Sequence, residues 1–277
     1  NAVRREYLAR ARGLGLRVLF NTTVFEGNLD EVAGLAAFFR DHASAVTLAS
    51  FQLQADTGRG VLRAREAVVC KESVAARLAE GMGATLDFET AAVGHPECTR
   101  YASVVVAGEH TVSALSDKAL VERLFAAFGA QERPGTPYLR LVATARRLAW
   151  RHPGLALAVA RHALALLWRL RAGLVRGHPP QRLALLIHDF MDASALDRAR
   201  CESCVFMVAT GQGPLSMCVH NARRDAHLFA PERLGDGWWS AATGQVTPEP
   251  DPRLPGPQPR KRLKGRQRAK AEGRSDV

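Results

Sequence analysis

The sequence predicts an α/β protein organised on parallel strands, and three observations carry that expectation. Residues 16–25 (LRVLFNTTVF) are a β-branched and aromatic run of strand length, and 46–53 (VTLASFQL) reads as the next strand. Between them, residues 28–43 (NLDEVAGLAAFFRDHA) repeat apolar positions at helical spacing, with acids in the first turn where the helix dipole favours them. Strand, helix and strand joined by short loops form a βαβ unit, which implies a right-handed crossover in a parallel sheet.

In chain order, residues 3–12 read as a helix ended by Gly13 and Gly15. Leu16–Phe25 follows as a buried strand, and Asn28 is the expected N-cap of the next helix. Thr57-Gly58-Arg59-Gly60 closes the second strand. Residues 61–80 are helical, most clearly in KESVAARLAEGM, where positions 74, 75, 78 and 79 are apolar. Residues 84–88 read as a short extended piece, 95–98 (HPEC) as a loop, 101–106 (YASVVV) as a strand and 117–128 as an amphipathic helix. Within 138–176, the run LALAVARHALALLWRL is apolar on all sides except for Arg161, His162 and Arg169. That run is too short and too charged to span a bilayer. It reads first as a buried helix of a helical insert, with His162 a core or boundary histidine. The competing reading is a helix at a membrane surface or along a greasy channel, anchored by Trp150 and Trp168. Residues 183–187 (LALLI) form a short buried strand that delivers His188, Asp189 and Asp192, expected to support the neighbouring site by hydrogen bonds.

Parallel sheets bind ligands at the C-terminal ends of their strands. Those ends carry Asn21, Thr22 and Thr23 on one strand, and Gln52, Gln54 and Arg59 on or after the other. The second candidate site is Cys201-x2-Cys204 followed by Cys218, three of the five cysteines. A CxxC turn lets two sulfurs face one metal, and the GQGP turn at 211–214 predicts a hairpin that returns Cys218 to it. Cys98 is the candidate fourth ligand, and Cys70 is left over. An odd cysteine count argues against a disulfide framework. Thiolate-only ligation suits an iron–sulfur cluster, a mononuclear iron or zinc, and spacing does not separate them.

Net charge is +11, and from Pro248 onward nine Lys/Arg stand against four acids, so the tail holds +5 of it. The tail is Pro-rich and poor in large apolar residues, hence expected to be disordered. No aromatics interleave with its charges, which argues against nucleic-acid contact. The chain opens on Asn inside a helix already under way, and the expectation is a fragment that lacks its N-terminal part.

Residues 15–59 resemble the second half of a radical S-adenosylmethionine (SAM) barrel, roughly its fifth and sixth strands. The combination of His95-Pro96-Glu97-Cys98, His188-Asp189-Phe190-Met191-Asp192 and the CxxC…Met217-Cys218-Val219-His220-Asn221 run is similar to the C-terminal portion of radical SAM enzymes related to the archaeal tetraether lipid synthase. The resemblance implies the second half of a partial (βα)6 barrel over 1–95. It further implies an auxiliary iron-site domain over 96–245 with a helical insert at 138–178, and a tail over 246–277. It implies an auxiliary [4Fe–4S] cluster or mononuclear iron on Cys201, Cys204 and Cys218 with Cys98, and SAM contacts at Asn21, Thr23, Gln52 and Arg59. The complete enzyme would carry SAM on its own [4Fe–4S] cluster and draw electrons from a ferredoxin or flavodoxin. Its 5′-deoxyadenosyl radical would functionalise or couple an unactivated carbon, with a lipid chain as the expected substrate. The expected location is the cytoplasm, with peripheral contact at the inner face of the membrane. No CxxxCxxC motif occurs here, so this chain alone would not cleave SAM. The alternative reading is a zinc-type four-thiolate module that contacts nucleic acid or a membrane surface.

Overall fold

The computed structural model describes residues 1–11, 14–57, 69–91, 93–128, 137–210, 213–224, 231–240 and 244–249. Arg59, the helix expected over 61–68 and the tail beyond 249 lie outside the described residues. The chain divides into two compact units, 1–53 with 69–188, and 54–68 with 189–277.

The first unit opens with helix α1 (Ala2–Ala11), strand β1 (Val18–Val24), helix α2 (Glu31–Asp41) and strand β2 (Val46–Leu53). β1 and β2 pair in parallel, as the βαβ pattern requires. Helix α3 (Lys71–Met82) packs on α2, followed by the hairpin β3 (Thr99–Ala107) and β4 (His110–Ser113). Helices α4 (Lys118–Phe128), α5 (Pro137–Arg151) and α6 (Pro153–Val175) then precede strand β5 (Gln181–Asp189). The sheet order is β1-β2-β5-β3-β4, with β3 antiparallel to both β4 and β5, so the sheet is mixed and open, with β1 and β4 at its edges.

The core lies on one face of this sheet. Phe39 of α2 is fully buried, stacked on Phe20 at 5.1 Å between ring centroids and edge-on to Phe51 at 6.1 Å. Ala102, Val104 and Val106 of β3 and Leu183, Leu185 and Ile187 of β5 join the same cluster. α3 reaches α2 through a glycine, since a Cβ on Gly81 would lie 2.1 Å from the Ala33 carbonyl oxygen. On the opposite face, α6 seats Leu166, Leu170 and Leu174 against Val105, Ala107 and Val112. There Gly173 plays the corresponding part, its Cβ position lying 2.1 Å from the Ala107 carbonyl oxygen.

Several expectations need correction. Asn28 does not cap α2, which begins at Glu31 with Asp30 as its N-cap residue. Asn28 closes a 3-10 turn instead, accepting from the Phe25 N–H at 2.9 Å and donating to the Thr23 carbonyl at 2.9 Å. β1 is an edge strand whose residues alternate between exposed and half-buried before Val24, so it is not buried on both faces. No strand forms over 84–88, although Phe88 is buried. β4 was not foreseen, yet the two-residue turn Gly108-Glu109, with Gly108 at φ 61°, is a hairpin signal. The expectation of a buried 155–170 helix fails most clearly. α6 has three buried residues, Leu155, Leu170 and Gly173, while Leu164 and Trp168 are 65% and 68% exposed. No helix among the described residues is long and apolar enough to cross a membrane.

The second unit holds helix α7 (Arg198–Glu202), the hairpin β6 (Met207–Thr210) and β7 (Gly213–Ser216), and helix α8 (Met217–Ala222). A small antiparallel sheet of β8 (Glu232–Leu234), β9 (Gly237–Trp239) and β10 (Val246–Thr247) follows.

Candidate functional site: a polar sheet face and a cysteine hairpin

Side chains alternate across a strand, so the face of the sheet away from α2 and α3 is set by the complementary residues. On β1 and β2 these are Leu19, Asn21, Thr23, Leu48, Ser50 and Gln52. In register, Asn21 lies opposite Ser50 and Thr23 opposite Gln52, near the C-terminal ends of the two parallel strands. Three of the four expected cofactor-contacting residues therefore form one patch. Asn21 and Thr23 are exposed and Gln52 is half-buried. Their side chains make no hydrogen bond among the described residues, which leaves hydroxyl and amide donors and acceptors open to a ligand. Thr22 points to the helix-covered face. Arg59, the fourth, lies outside the described residues.

The same face continues on β5 and β3 with His188, which the sequence had singled out, and with Arg182, Tyr101 and Ser103, which it had not. His188 is buried, with Nδ1 3.1 Å from Thr99 Oγ1. Arg182 donates to Ser103 Oγ at 3.2 Å and to the Tyr101 hydroxyl at 3.1 Å. The period-two alternation of Tyr101 and Ser103 within YASVVV was the available signal. His162 on α6 sits at 2.9 Å from the Ala114 carbonyl, the satisfied boundary histidine that was expected.

Cys98 belongs to this first unit and is buried in a turn where its N–H donates to the His95 carbonyl at 2.9 Å. Lys71, itself 8% exposed, holds that turn through Nζ bonds to the Glu97 carbonyl at 2.7 Å and carboxylate at 3.0 Å. Cys70 finds a local role as the N-cap residue of α3, accepting the Ser73 hydroxyl at its carbonyl at 2.8 Å.

Cys201, Cys204 and Cys218 belong to the second unit. Asp197 caps α7 by accepting the Arg200 N–H at 2.8 Å, and the Cys204 N–H donates to the Cys201 carbonyl at 3.3 Å, closing the CxxC turn. The hairpin expected from GQGP forms, with Met207 opposite Ser216. It brings the start of α8 back to the CxxC, because the Phe206 carbonyl accepts both the Met217 N–H at 2.9 Å and the Cys204 thiol at 3.2 Å. Asp192 supports the neighbouring backbone by accepting the Asp56 N–H, and the Asp189 carbonyl accepts from Arg200 at 2.8 Å. The backbone thus assembles the three positions, but the thiols do not converge. Among the described residues no group of three or more His, Cys, Asp or Glu is placed to hold a metal ion. Ligation would require Cys204 Sγ to leave the Phe206 carbonyl.

A cleft of about 630 Å³ elsewhere in the first unit is lined by Arg40, Glu109, His110, Arg176 and His178. None of the expected site residues lines it, and Arg40 there is already paired with Asp41 at 3.0 Å. No protein-family model matches this chain, and no curated protein matches it.

Proposed function

We propose that this chain is the C-terminal portion of a radical SAM enzyme acting at an unactivated carbon, with a lipid chain as substrate. The observation that supports this reading is the in-register polar patch of Asn21, Thr23, Ser50 and Gln52 on the sheet face opposite α2. In a barrel that face turns inward, and polar residues at the C-terminal strand ends meet the ligand. Thr23 and Gln52 would hydrogen-bond the hydroxyl and amine groups of SAM, and Asn21 would orient it from the adjoining edge. Bound SAM would supply radical chemistry for hydrogen abstraction once reduced at a cluster, for which no CxxxCxxC motif occurs in this sequence. Cys201, Cys204 and Cys218, all in the second unit, are the proposed ligands of an auxiliary iron centre. The present thiol directions do not form that centre, so no step is assigned to it.

Titration calorimetry of anaerobically purified protein with SAM tests the reading, with iron and acid-labile sulfide assayed on the same sample. The expected result is saturable binding that weakens about tenfold in Thr23→Val/Gln52→Leu, as loss of one or two good hydrogen bonds implies. Iron lost in Cys201→Ser is the matching expectation for the cysteine hairpin. Absence of SAM binding, together with stoichiometric zinc and no iron, would sink the enzyme reading in favour of a zinc module.

A further inference from the structure

The outward face of α6 is the largest feature that the proposed function leaves unused. Its orientation is fixed from behind, since Gly173 lies against the Ala107 backbone and His162 Nε2 is 2.9 Å from the Ala114 carbonyl. With that side held, Leu157, Leu164, Trp168 and Val175 fall on the other side at successive spacings of seven, four and seven residues, about two, one and two helical turns, 60%, 65%, 68% and 88% exposed. From Leu157 to Val175 the stripe runs about 27 Å at 1.5 Å per residue. Such a row of large exposed apolar side chains on one helix face marks an interaction site.

The surrounding charge says what covers it. α5 and α6 together contain seven arginines, and no Asp or Glu occurs anywhere from 133 to 188. The guanidiniums therefore have no carboxylate neighbour within the two helices. Arg161 and Arg169 are exposed on the same helix as the leucines. Arg171 lies over the Trp168 ring, 4.5 Å from its centroid, which presents an indole and a cation together. Trp150, 87% exposed, stands in the last turn of α5 beside the corner into α6. Leucines, indoles and arginines on a helix too charged to span a bilayer are the composition of a helix lying in a lipid headgroup layer.

We propose that the outward face of α6 docks the protein flat on an anionic phospholipid surface. Leu157, Leu164 and Trp168 enter the acyl boundary, and Arg161, Arg169 and Arg171 meet lipid phosphates. The inference stands apart from the SAM reading, because it uses none of the same residues.

Co-sedimentation of the whole chain with phosphatidylcholine vesicles, with and without phosphatidylglycerol, decides it. The expected result is binding to the phosphatidylglycerol vesicles that weakens with salt and falls at least about tenfold in Leu164→Gln/Trp168→Gln. Both side chains are mostly exposed, so the thermal melt of that variant should match the parent. If the melt shifts, Arg161→Gln/Arg169→Gln replaces it, with an expected loss of about fivefold per arginine. Equal binding by parent and variants would overturn the proposal and assign the affinity to the basic segment 253–274. Lack of binding to phosphatidylglycerol vesicles would overturn it as well. So would a solution dimer that Trp168→Gln dissociates, since a second copy would then cover the face.

Discussion

α2 and α6 are both apolar helices that reach their partners through small residues, yet they bury very different shares of themselves. α2 buries Val32, Leu35, Ala36, Phe38 and Phe39 within eleven residues, whereas α6 buries Leu155, Leu170 and Gly173 within twenty-three. The amphipathic pattern of α2 states which side meets the core and which meets water. The pattern of α6 is apolar on nearly every side, so it states only that two surfaces want partners. The sheet supplies one of them. An apolar composition therefore shows how much surface can be buried, and only the arrangement shows how much is.

Three experiments sharpen that contrast. The largest effect is expected at Phe39, which touches Phe20, Phe38 and Phe51 and is fully buried. Phe39→Ala should cost about 3–5 kcal/mol in urea unfolding. A loss near that for Leu164→Ala would erase the distinction between the two helices. Next come the glycine contacts. Gly81→Ala and Gly173→Ala each place a methyl 2.1 Å from a backbone oxygen, so each should cost about 1–3 kcal/mol by forcing the helices apart. Hydrogen exchange should report α3 and α2 loosened by the first, and α6 alone by the second. Exchange spread over both regions in either variant would show that the two faces are not separable.

The smallest effect concerns acid. Burial of the Asp87 carboxyl raises its pKa, but bonds from the Thr90 hydroxyl and the Thr90 and Glu89 N–H groups outweigh burial and leave it below its ordinary 3.8. A depressed folded pKa adds stability that is complete above the unfolded value and disappears as pH falls through the folded one. Removing one of those bonds with Thr90→Val should lower stability above the unfolded pKa by on the order of a few tenths of a kcal/mol, given solvent screening, and so move acid unfolding to higher pH. The same scan should leave α6 untouched until the core fails, because no carboxyl lies between 133 and 188.

Much of the first unit was legible from sequence, for physical reasons that differ by element. β2 was found at its observed bounds because it is a mostly apolar run of strand length closed by the turn residues at 57–60, and α3 because its apolar residues repeat at 3.6. The start of α2 was misplaced because Asn28 uses its side chain on the Phe25 and Thr23 backbone, a choice that propensity does not reveal. β4, β8 and β9 were missed although glycine-containing two-residue turns precede β4 and β9. For the cysteine site, the turn residues foretold the hairpin that returns Cys218 towards Cys204. The direction of the Cys204 thiol could not be foretold, since it is one rotamer choice made by the Phe206 carbonyl. The polar patch was legible in part, because strand ends are predictable while the register that sets Thr23 opposite Gln52 depends on the bulge between Val18 and Leu19.

The position of β5 bears on how the molecule comes into being. This strand is the last of its sheet to be synthesised, and it occupies the middle, between β2 and β3. The β1–α2–β2 unit and the β3–β4 hairpin can each form from local segments, but they share no edge until residue 189 has been made. Until then two sheet edges and the apolar faces beside them stay open on a growing chain. Pairing across so long a separation is slow, and the waiting edges are where misassembly begins. A ribosome-bound chain stopped before β5 would therefore hold two native-like pieces awaiting a common strand.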